Sequence, residues 1–220
     1  KKDFPNKVSY QRFIELQQRA MLIIAALANL CKGEETGHYY IDSTTIAICH
    51  NKRTSKHKVF KGIAEMGKST MGCFYGFKLH LLINQKGEVM NISITKGNVT
   101  DVSMLETLIK ALVGKVYGDK GYISSKVFER LLGRGMRLIT GIKKTMKNKL
   151  IELHDKIMLR KRSLIETVFD YLKNKFNLEH TRHRSPINFL IHILSTVVAY
   201  QFLKNKPSIT KMTTMLQLLS

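Results

Sequence analysis

Three acidic residues, each in a distinct local context, are candidates for metal binding and catalysis. Asp42 lies in YYIDSTTI, Asp119 in VYGDKGYI and Glu166 in RSLIETVFDYLKNK. A carboxylate in an apolar strand is costly to keep ionised unless a cation pairs with it. Three carboxylates that converge on one pocket repel each other, and a hard divalent cation with oxygen ligands removes that repulsion. The sequence therefore predicts a metal site built from these three side chains.

Two basic residues share a stripe with Glu166 on a predicted helix. Arg162 lies four residues before Glu166 and Lys173 seven residues after it, and at about 100° per residue these steps keep all three on one face. The pattern favours phosphate binding by Arg162 and Lys173 beside a metal-holding Glu166. The plainer alternatives are a surface Arg–Glu pair, a strand-edge Asp42 bonded to nearby hydroxyls, and a turn aspartate at Asp119.

The net charge indicates a polyanionic partner. Lys and Arg total 37 against 16 Asp and Glu, a formal charge of +21 over 220 residues, which favours DNA or RNA binding. Lys120, beside Asp119, is a predicted phosphate partner. Weaker candidates lie in residues 143–149 and 182–184. The densest basic segment contains a single acid, Glu65. We predict that it contacts the phosphate backbone of the nucleic acid; the alternative is a mobile charged loop. Its cations are Lys52, Arg53, Lys56, Lys58, Lys61 and Lys68.

Composition excludes several classes of protein. The 44% hydrophobic content is typical of an ordered globular chain, long enough for one domain and a smaller appendage. Cys31, Cys49 and Cys73 form no C-x-x-C pair, which favours free thiols in a reducing cytoplasm over zinc or disulfides. The apolar run at residues 20–30 is too short to span a bilayer, and polar residues interrupt the run at 187–203. We therefore expect no membrane partner.

The predicted elements suggest a fold. Strands are expected at residues 39–49, 74–83, 89–95, 115–118 and 136–141, and helices at about 9–32, 100–112, 124–133 and 158–176, with a last one after Pro186. The first three strands form a meander and the later ones add through helical crossovers. This order is that of the ribonuclease-H-like fold, an α/β fold with a mixed five-stranded sheet flanked by helices. Asp42, Asp119 and Glu166 occupy the places where that fold carries its metal-binding acids.

We expect three regions along the chain. Residues 1–37 form an N-terminal helical segment, residues 38–180 the ribonuclease-H-like domain and residues 181–220 a C-terminal helical extension. Asp101 is expected to cap a helix, and His80 and His183 receive no catalytic role. Because the chain begins with Lys1 directly ahead of a helix, we expect that an upstream part is missing.

Six segments carry a resemblance to a known family. From about Phe13 to Ile209 the chain resembles the catalytic domain of bacterial insertion-sequence DDE transposases, specifically the insertion-sequence 982 family. Two departures are Leu159, where related transposases often have a tyrosine, and Cys73, where an aromatic residue is expected. The family also has an upstream DNA-binding region that we expect this chain to lack. The segments are YIDST, FKGIAEMGKSTMGCFYGFKLH, GNVTD, VYGDKGYIS, RSLIETVFDYLKNK and EHTRHRSPINFL.

The resemblance implies a mechanism and partners. Asp42, Asp119 and Glu166 would be the DDE triad, holding two Mg²⁺ ions that Mn²⁺ can replace, and Arg162 and Lys173 would match the family's basic pair. Water would nick the transposon end, and the resulting 3′-hydroxyl would join that end to target DNA. The partners would be double-stranded inverted-repeat ends and target DNA, bound by a homo-oligomer in the bacterial cytoplasm at the nucleoid.

Two alternatives from other classes stay open. A stand-alone ribonuclease-H-like nuclease would share the triad but would not join strands. An inactive, basic DNA-binding transposase fragment would not bind divalent metal.

Overall fold

A computed structural model describes residues 7–142, 150–179 and 183–210. The predicted basic loop at residues 143–149 and the first arginine of the 182–184 group lie outside these described residues.

A six-stranded mixed sheet forms the centre of the molecule. Strand order is β2-β3-β1-β5-β6, with β4 also pairing β3. The β1–β3, β2–β3 and β3–β4 pairs are antiparallel, whereas β1–β5 and β5–β6 are parallel. The five predicted strands are all present, as the predicted fold class requires. The strands are β1 (His38–Cys49), β2 (Glu65–Ser69), β3 (Gly72–Asn84), β4 (Val89–Lys96), β5 (Gly114–Gly118) and β6 (Met136–Thr140).

The sixth strand, β2, was not predicted. Its sequence, EMGKS, shows no alternation strong enough to indicate a strand, and it lies in the basic segment for which a mobile charged loop was one interpretation. It forms because β4 pairs with β3 only from Phe77 onward, which leaves the edge of the first β3 residues unpaired; on that edge Glu65 pairs with Gly76 and Ser69 with Gly72. Pairing with an existing strand thus decided a structure that local propensity left open.

Seven α-helices flank the sheet within the described residues. They are α1 (Tyr10–Arg19), α2 (Met21–Leu30), α3 (Asp101–Leu108), α4 (Ser125–Leu132), α5 (Leu153–Arg160), α6 (Ser163–Asp170) and α7 (Pro186–Gln201). Short 3₁₀ turns cover Asn51–Lys56 and Lys120–Tyr122, and a π-helical turn covers Tyr171–Lys175.

Two predicted long helices are wrong in the same way, because each is broken. The helix predicted at residues 9–32 is α1 and α2, which meet at Ala20 with a bend of 58°. The helix predicted at residues 158–176 is α5, α6 and the π-helical turn, with a break at Lys161 and Arg162. A continuous apolar period does not reveal such breaks, because tertiary contacts decide where each piece packs.

In the described residues no single helix combines the length and the apolar composition that a membrane span needs. Helices α1 and α2 have the required length and composition only when they are taken together, as this bent pair.

The two faces of the sheet carry separate cores. Alternate side chains of β1 point to opposite faces, so that Tyr40 and Ile46 pack with α6 and α7 while Tyr39 and Ile41 pack with α3 and α4. By the same alternation, Asp42 points to the α6 side and Ser43 to the α3 side. The sheet therefore assigns the first predicted acid to the face where Glu166 lies.

Candidate active site

Strand pairing brings the two aspartates to one level of the sheet. The parallel β1–β5 ladder pairs His38 with Lys115 and Tyr40 with Tyr117, and the same register continued by two residues sets Asp42 beside Asp119. Asp119 follows β5 directly and is exposed. Gly118 keeps this end of β5 close to its neighbours, because a Cβ there would lie 3.1 Å from Ile41 Cγ2.

Arg162 joins the first and third predicted acids. Its Nη1 donates to Asp42 Oδ2 at 2.6 Å, and its Nη2 donates to Glu166 Oε1 at 2.8 Å. Arg162 lies at the break between α5 and α6, one turn before Glu166. The Arg–Glu surface pair that the spacing predicted is present. The bond to Asp42, 120 positions away in the chain, makes it part of a larger cluster.

Asp42 is held as an incompletely compensated carboxylate. Burial raises its pKa, and the Arg162 guanidinium and the Ser43 N–H, which donates to Oδ1 at 2.9 Å, lower it less than burial raises it. The nearby Asp119 raises the pKa of Asp42 further. Burial and a like charge both disfavour the ionised form, so additional positive charge at this point would stabilise it.

The donor set fits a hard divalent cation. Asp42, Asp119 and Glu166 offer carboxylate oxygens, the ligands that Mg²⁺ prefers. Asp119 makes no ion pair with any described residue. In the described parts of the chain no three acidic, histidine or cysteine side chains stand as close together as metal ligands do. Between Asp42 and Glu166, the Arg162 guanidinium supplies the positive charge that a metal would supply.

The other predicted basic residues lie apart from this cluster. Lys173 is in the π-helical turn, and its ammonium pairs with Glu179 rather than with Glu166. Lys120 is exposed next to Asp119, with Cε 3.0 Å from where a Cβ of Gly141 would be. The cations at the end of β1 are exposed and contact none of the three acids; they are Lys52, Arg53, Lys56 and Lys58.

A polar cluster behind Asp42 was not predicted. Asp101 begins α3, but its carboxylate caps no backbone group there; it accepts from Ser43 Oγ at 2.8 Å and from Lys78 Nζ at 3.2 Å. His80 lies beside it, fully buried, and donates to or accepts from Thr95 Oγ1 at 2.8 Å. Burial lowers the pKa of His80 to about 4, so the ring is neutral at pH 7. The available signal was the register, which sets His80 opposite Ser43.

Tyr122, in the GDKGY motif, is a second residue that sequence reasoning did not single out for the site. Its side chain is buried, and its hydroxyl has no hydrogen-bond partner among the described residues. Burial, and then the charges of Asp42, Asp101 and Asp119, raise its pKa. The hydroxyl therefore stays protonated and remains a free donor beside the acids.

A separate network fixes the helix that leads into α6. Asp155 of α5 is buried and accepts from Lys115 Nζ at 2.8 Å and from the Tyr117 hydroxyl at 3.0 Å. Burial alone would raise the pKa of Asp155, but these two hydrogen bonds lower it overall. The network attaches α5 to β5, and so it positions the α5–α6 break where Arg162 lies.

Comparison with known proteins adds two findings. The sequence profile of the family described as "Transposase DDE domain" matches residues 32–186, a range that contains all three acids and Arg162. A piggyBac transposase, solved as a synaptic complex with hairpin DNA, has a similar structure: the TM-score is 0.50 and the identity 9%, over 83% of this chain and 51% of that chain. At this identity the similarity concerns the fold alone, and the ribonuclease-H-like prediction is confirmed.

Two further results complete the comparison. A simian T-cell lymphotropic virus intasome, in complex with PP2A regulatory subunit B56 gamma, matches with a TM-score of 0.32 and 15% identity, over 83% of this chain and 60% of that one. No curated protein sequence matches significantly. The chain spans about half the length of the piggyBac transposase chain.

Proposed function

The chain belongs to the transposase DDE domain family, and on that premise we propose that it is a DNA transposase whose catalytic triad is Asp42, Asp119 and Glu166. One observation carries this proposal: acids 124 positions apart, on β1 and α6, bind the same guanidinium, next to the strand end that carries Asp119. Acids that gather around one cation are the arrangement that metal-dependent phosphoryl transfer needs.

The proposed reaction has two phosphoryl-transfer steps, a hydrolysis and a transesterification. In the first, water attacks a phosphodiester at the transposon end and the P–O3′ bond breaks, which leaves a 3′-hydroxyl on the transposon end and a 5′-phosphate on the flanking strand. In the second, that 3′-hydroxyl attacks a phosphodiester of target DNA, and a 3′-hydroxyl of the target strand leaves. Two Mg²⁺ ions, or Mn²⁺ in their place, would supply Lewis-acid activation of the attacking oxygen and charge stabilisation of the leaving oxygen. The three carboxylates would hold these ions, and Asp42 Oδ2 would give up its bond to Arg162 to do so.

Arg162 has two roles in this proposal. In the described arrangement its single positive charge is shared between Asp42 and Glu166. When the carboxylates bind metal, its guanidinium is released to a phosphate of the scissile strand, for which its forked donors are suited. Lys173 and Lys120 bind neighbouring phosphates, and Lys173 leaves Glu179 to do so.

The proposed partner is double-stranded DNA, both the inverted-repeat ends and the target. The phosphate backbone of this DNA is bound by exposed cations that follow the end of β1, none of which pairs with a described acid. These cations are Lys52, Arg53, Lys56 and Lys58. A homo-oligomer assembled on two ends, a bacterial nucleoid location and membership of the insertion-sequence 982 family remain predictions.

Single substitutions of the triad test the proposal. Asp42→Asn, Asp119→Asn and Glu166→Gln are each expected to lower Mg²⁺-dependent cleavage of a transposon-end duplex by at least about a hundredfold, because charge stabilisation worth several kcal/mol is lost. Affinity for the duplex should stay near that of the parent protein, since it rests on many cations. Glu129→Gln, an exposed acid on α4, is the matched control and should cleave normally.

The products separate the alternatives. Joining of the cut end to a second duplex supports a transposase, whereas cleavage without joining supports a stand-alone nuclease. Calorimetric titration with Mn²⁺ that shows no binding supports an inactive DNA-binding fragment. Near-normal cleavage by a triad variant would remove that residue from the site.

A further inference from the structure

A short two-stranded ribbon extends past the end of β1. The last β1–β3 pair joins Cys49 with Tyr75, whereas β2 and β3 remain paired as far as Ser69 and Gly72. The turn between them, Thr70 and Met71, is stabilised by Ser69 Oγ, which accepts from Met71 N at 3.2 Å. We define the arm as residues 65–76, of which residues 67–74 lie past the last β1–β3 pair. Its tip side chain, Met71, is 97% exposed.

The arm is held both near its tip and near its base. Asn51 Nδ2 donates to the Cys73 carbonyl at 2.7 Å, and the Tyr75 hydroxyl donates to the Phe60 carbonyl at 3.1 Å. A Cβ on Gly67 would lie 2.3 Å from the Gly97 carbonyl oxygen, so the backbones of the arm and the end of β4 approach closely. These contacts favour an arm with a defined direction.

The surface around the arm is positively charged and unneutralised. Glu65, the one acid in this segment, pairs with Lys96. None of the six cations at residues 52–68 forms an ion pair with a described residue. Phe60 belongs to the core on the α6 side of the sheet, so the basic segment covers the same face to which Asp42 points. A negatively charged ligand at Asp42 therefore meets this cationic surface further along that face.

The register gives the distance between the acids and the arm. Asp42 pairs with Leu81, and Gly72 lies nine residues earlier on β3. At about 3.3 Å per residue this is roughly 30 Å along the strand. In B-form DNA, with about 3.4 Å per base pair, the same length is about nine base pairs.

We propose that the arm enters the major groove of the transposon-end duplex about nine base pairs from the scissile phosphate, with Met71 at the base edges and Lys68 at the backbone. The major groove, about 12 Å wide, admits a two-stranded β-ribbon. The inference rests on the proposed function. It adds that this domain itself contacts DNA at a fixed distance from the cut.

Photo-crosslinking from the arm tip tests the position. The three native cysteines are first replaced (Cys31→Ala, Cys49→Ala, Cys73→Ser), and Met71→Cys is introduced and modified with an azidophenacyl group. The labelled protein is then bound, in the presence of Ca²⁺, to a 40-base-pair duplex that carries the inverted-repeat end flanking the gene. Crosslinks are expected about 8–11 base pairs from the cleavage site. Leu22→Cys on α2, which is 78% exposed in the parent chain, is the control and should crosslink weakly at no fixed position.

A charge reversal tests the energetics. Lys68→Glu is expected to weaken binding of the 40-base-pair duplex about five- to twentyfold relative to Lys126→Glu, which changes another exposed lysine, on α4. A duplex that ends six base pairs from the cleavage site cannot reach the arm, and there the two variants should bind equally.

The outcomes distinguish the two proposals. One contrary result is that the cysteine variant cleaves normally yet gives no crosslinks; another is that it gives them within four base pairs of the cleavage site or beyond fifteen. Each of these results would overturn the role of the arm and leave the proposed function standing. Equal effects of the two lysine variants on the long duplex would do the same. Failure of the unmodified protein to cleave any transposon-end duplex would contradict the proposed function, and this inference with it.

Discussion

Asp42 of β1 and Asp155 of α5 are two carboxylates at least partly shielded from water, and their environments have opposite effects. The pKa of Asp42 is raised, because burial and Asp119 outweigh the contribution of Arg162. The pKa of Asp155 is lowered, because Lys115 and the Tyr117 hydroxyl outweigh burial. Asp155 is thus satisfied by its own chain, whereas Asp42 needs further positive charge. We interpret Asp155 as a structural ion pair and Asp42 as a ligand-binding group.

The largest expected effect separates these two aspartates. Asp42→Asn should abolish detectable cleavage, a loss of at least about a hundredfold. Its free energy of unfolding should change by less than about 1 kcal/mol, because the variant no longer buries a charge, and this gain offsets the lost hydrogen bond to Arg162. Asp155→Asn should lower the free energy of unfolding by about 2–3 kcal/mol, because it leaves Lys115 without its main partner, while the folded protein still cleaves. Urea unfolding and single-turnover cleavage measure the two. Similar profiles for the two variants would remove the distinction.

The next effect concerns the two cations that flank Glu166 in the sequence, Arg162 and Lys173. Arg162→Ala should leave the Mn²⁺ affinity of the free protein unchanged or raise it, because a competing positive charge is gone, and should lower cleavage about ten- to a hundredfold. Lys173→Ala should leave Mn²⁺ affinity unchanged and lower cleavage similarly. Arg160→Ala, an exposed arginine on α5, is the control for both measurements. Loss of Mn²⁺ binding in a folded Arg162 variant would mean that Arg162 only positions Glu166.

A third, smaller effect concerns the exposed cations after β1, which pair with no described acid. Changing Lys52, Arg53, Lys56 and Lys58 together to Ala should reduce the slope of log affinity against log salt by about three to four units, since fewer counterions are released. The control removes four exposed lysines elsewhere on the surface: Lys110, Lys126, Lys156 and Lys204. Equal slopes for the two quadruple variants would identify the first segment as a solvated surface.

The smallest effect is a dependence of stability on pH. Since the folded pKa of Asp155 is lowered, its contribution is fully present above its unfolded value of about 3.9 and is lost as the pH falls through the folded value. The difference in the free energy of unfolding between the parent protein and Asp155→Asn should therefore be constant from pH 6 to about pH 5 and narrow below about pH 4. A difference that widens on acidification would contradict the assignment.

Local patterns in the sequence predicted much of the fold and the types of residue in the site. Five strands were predictable because each has a β-rich run with clear ends, and the order of elements then indicated where Asp42, Asp119 and Glu166 would lie. The strand β2 and the breaks at Ala20 and Lys161 were not predictable. Each depends on a surface that another part of the chain supplies.

Composition and the periods of helix and strand were enough to predict the basic charge, the order of five of the six strands, and the adjacency of Arg162 and Glu166. That Arg162 also binds Asp42, that Lys173 pairs with Glu179, and that Asp101 binds Ser43 and Lys78 depends on the tertiary structure. The ion-pair partner of a long charged side chain depends on which groups the fold brings within about 4 Å of its charged end. Local spacing carries no information about groups a hundred residues away, and the pairing of strands and the break between α5 and α6 supply it.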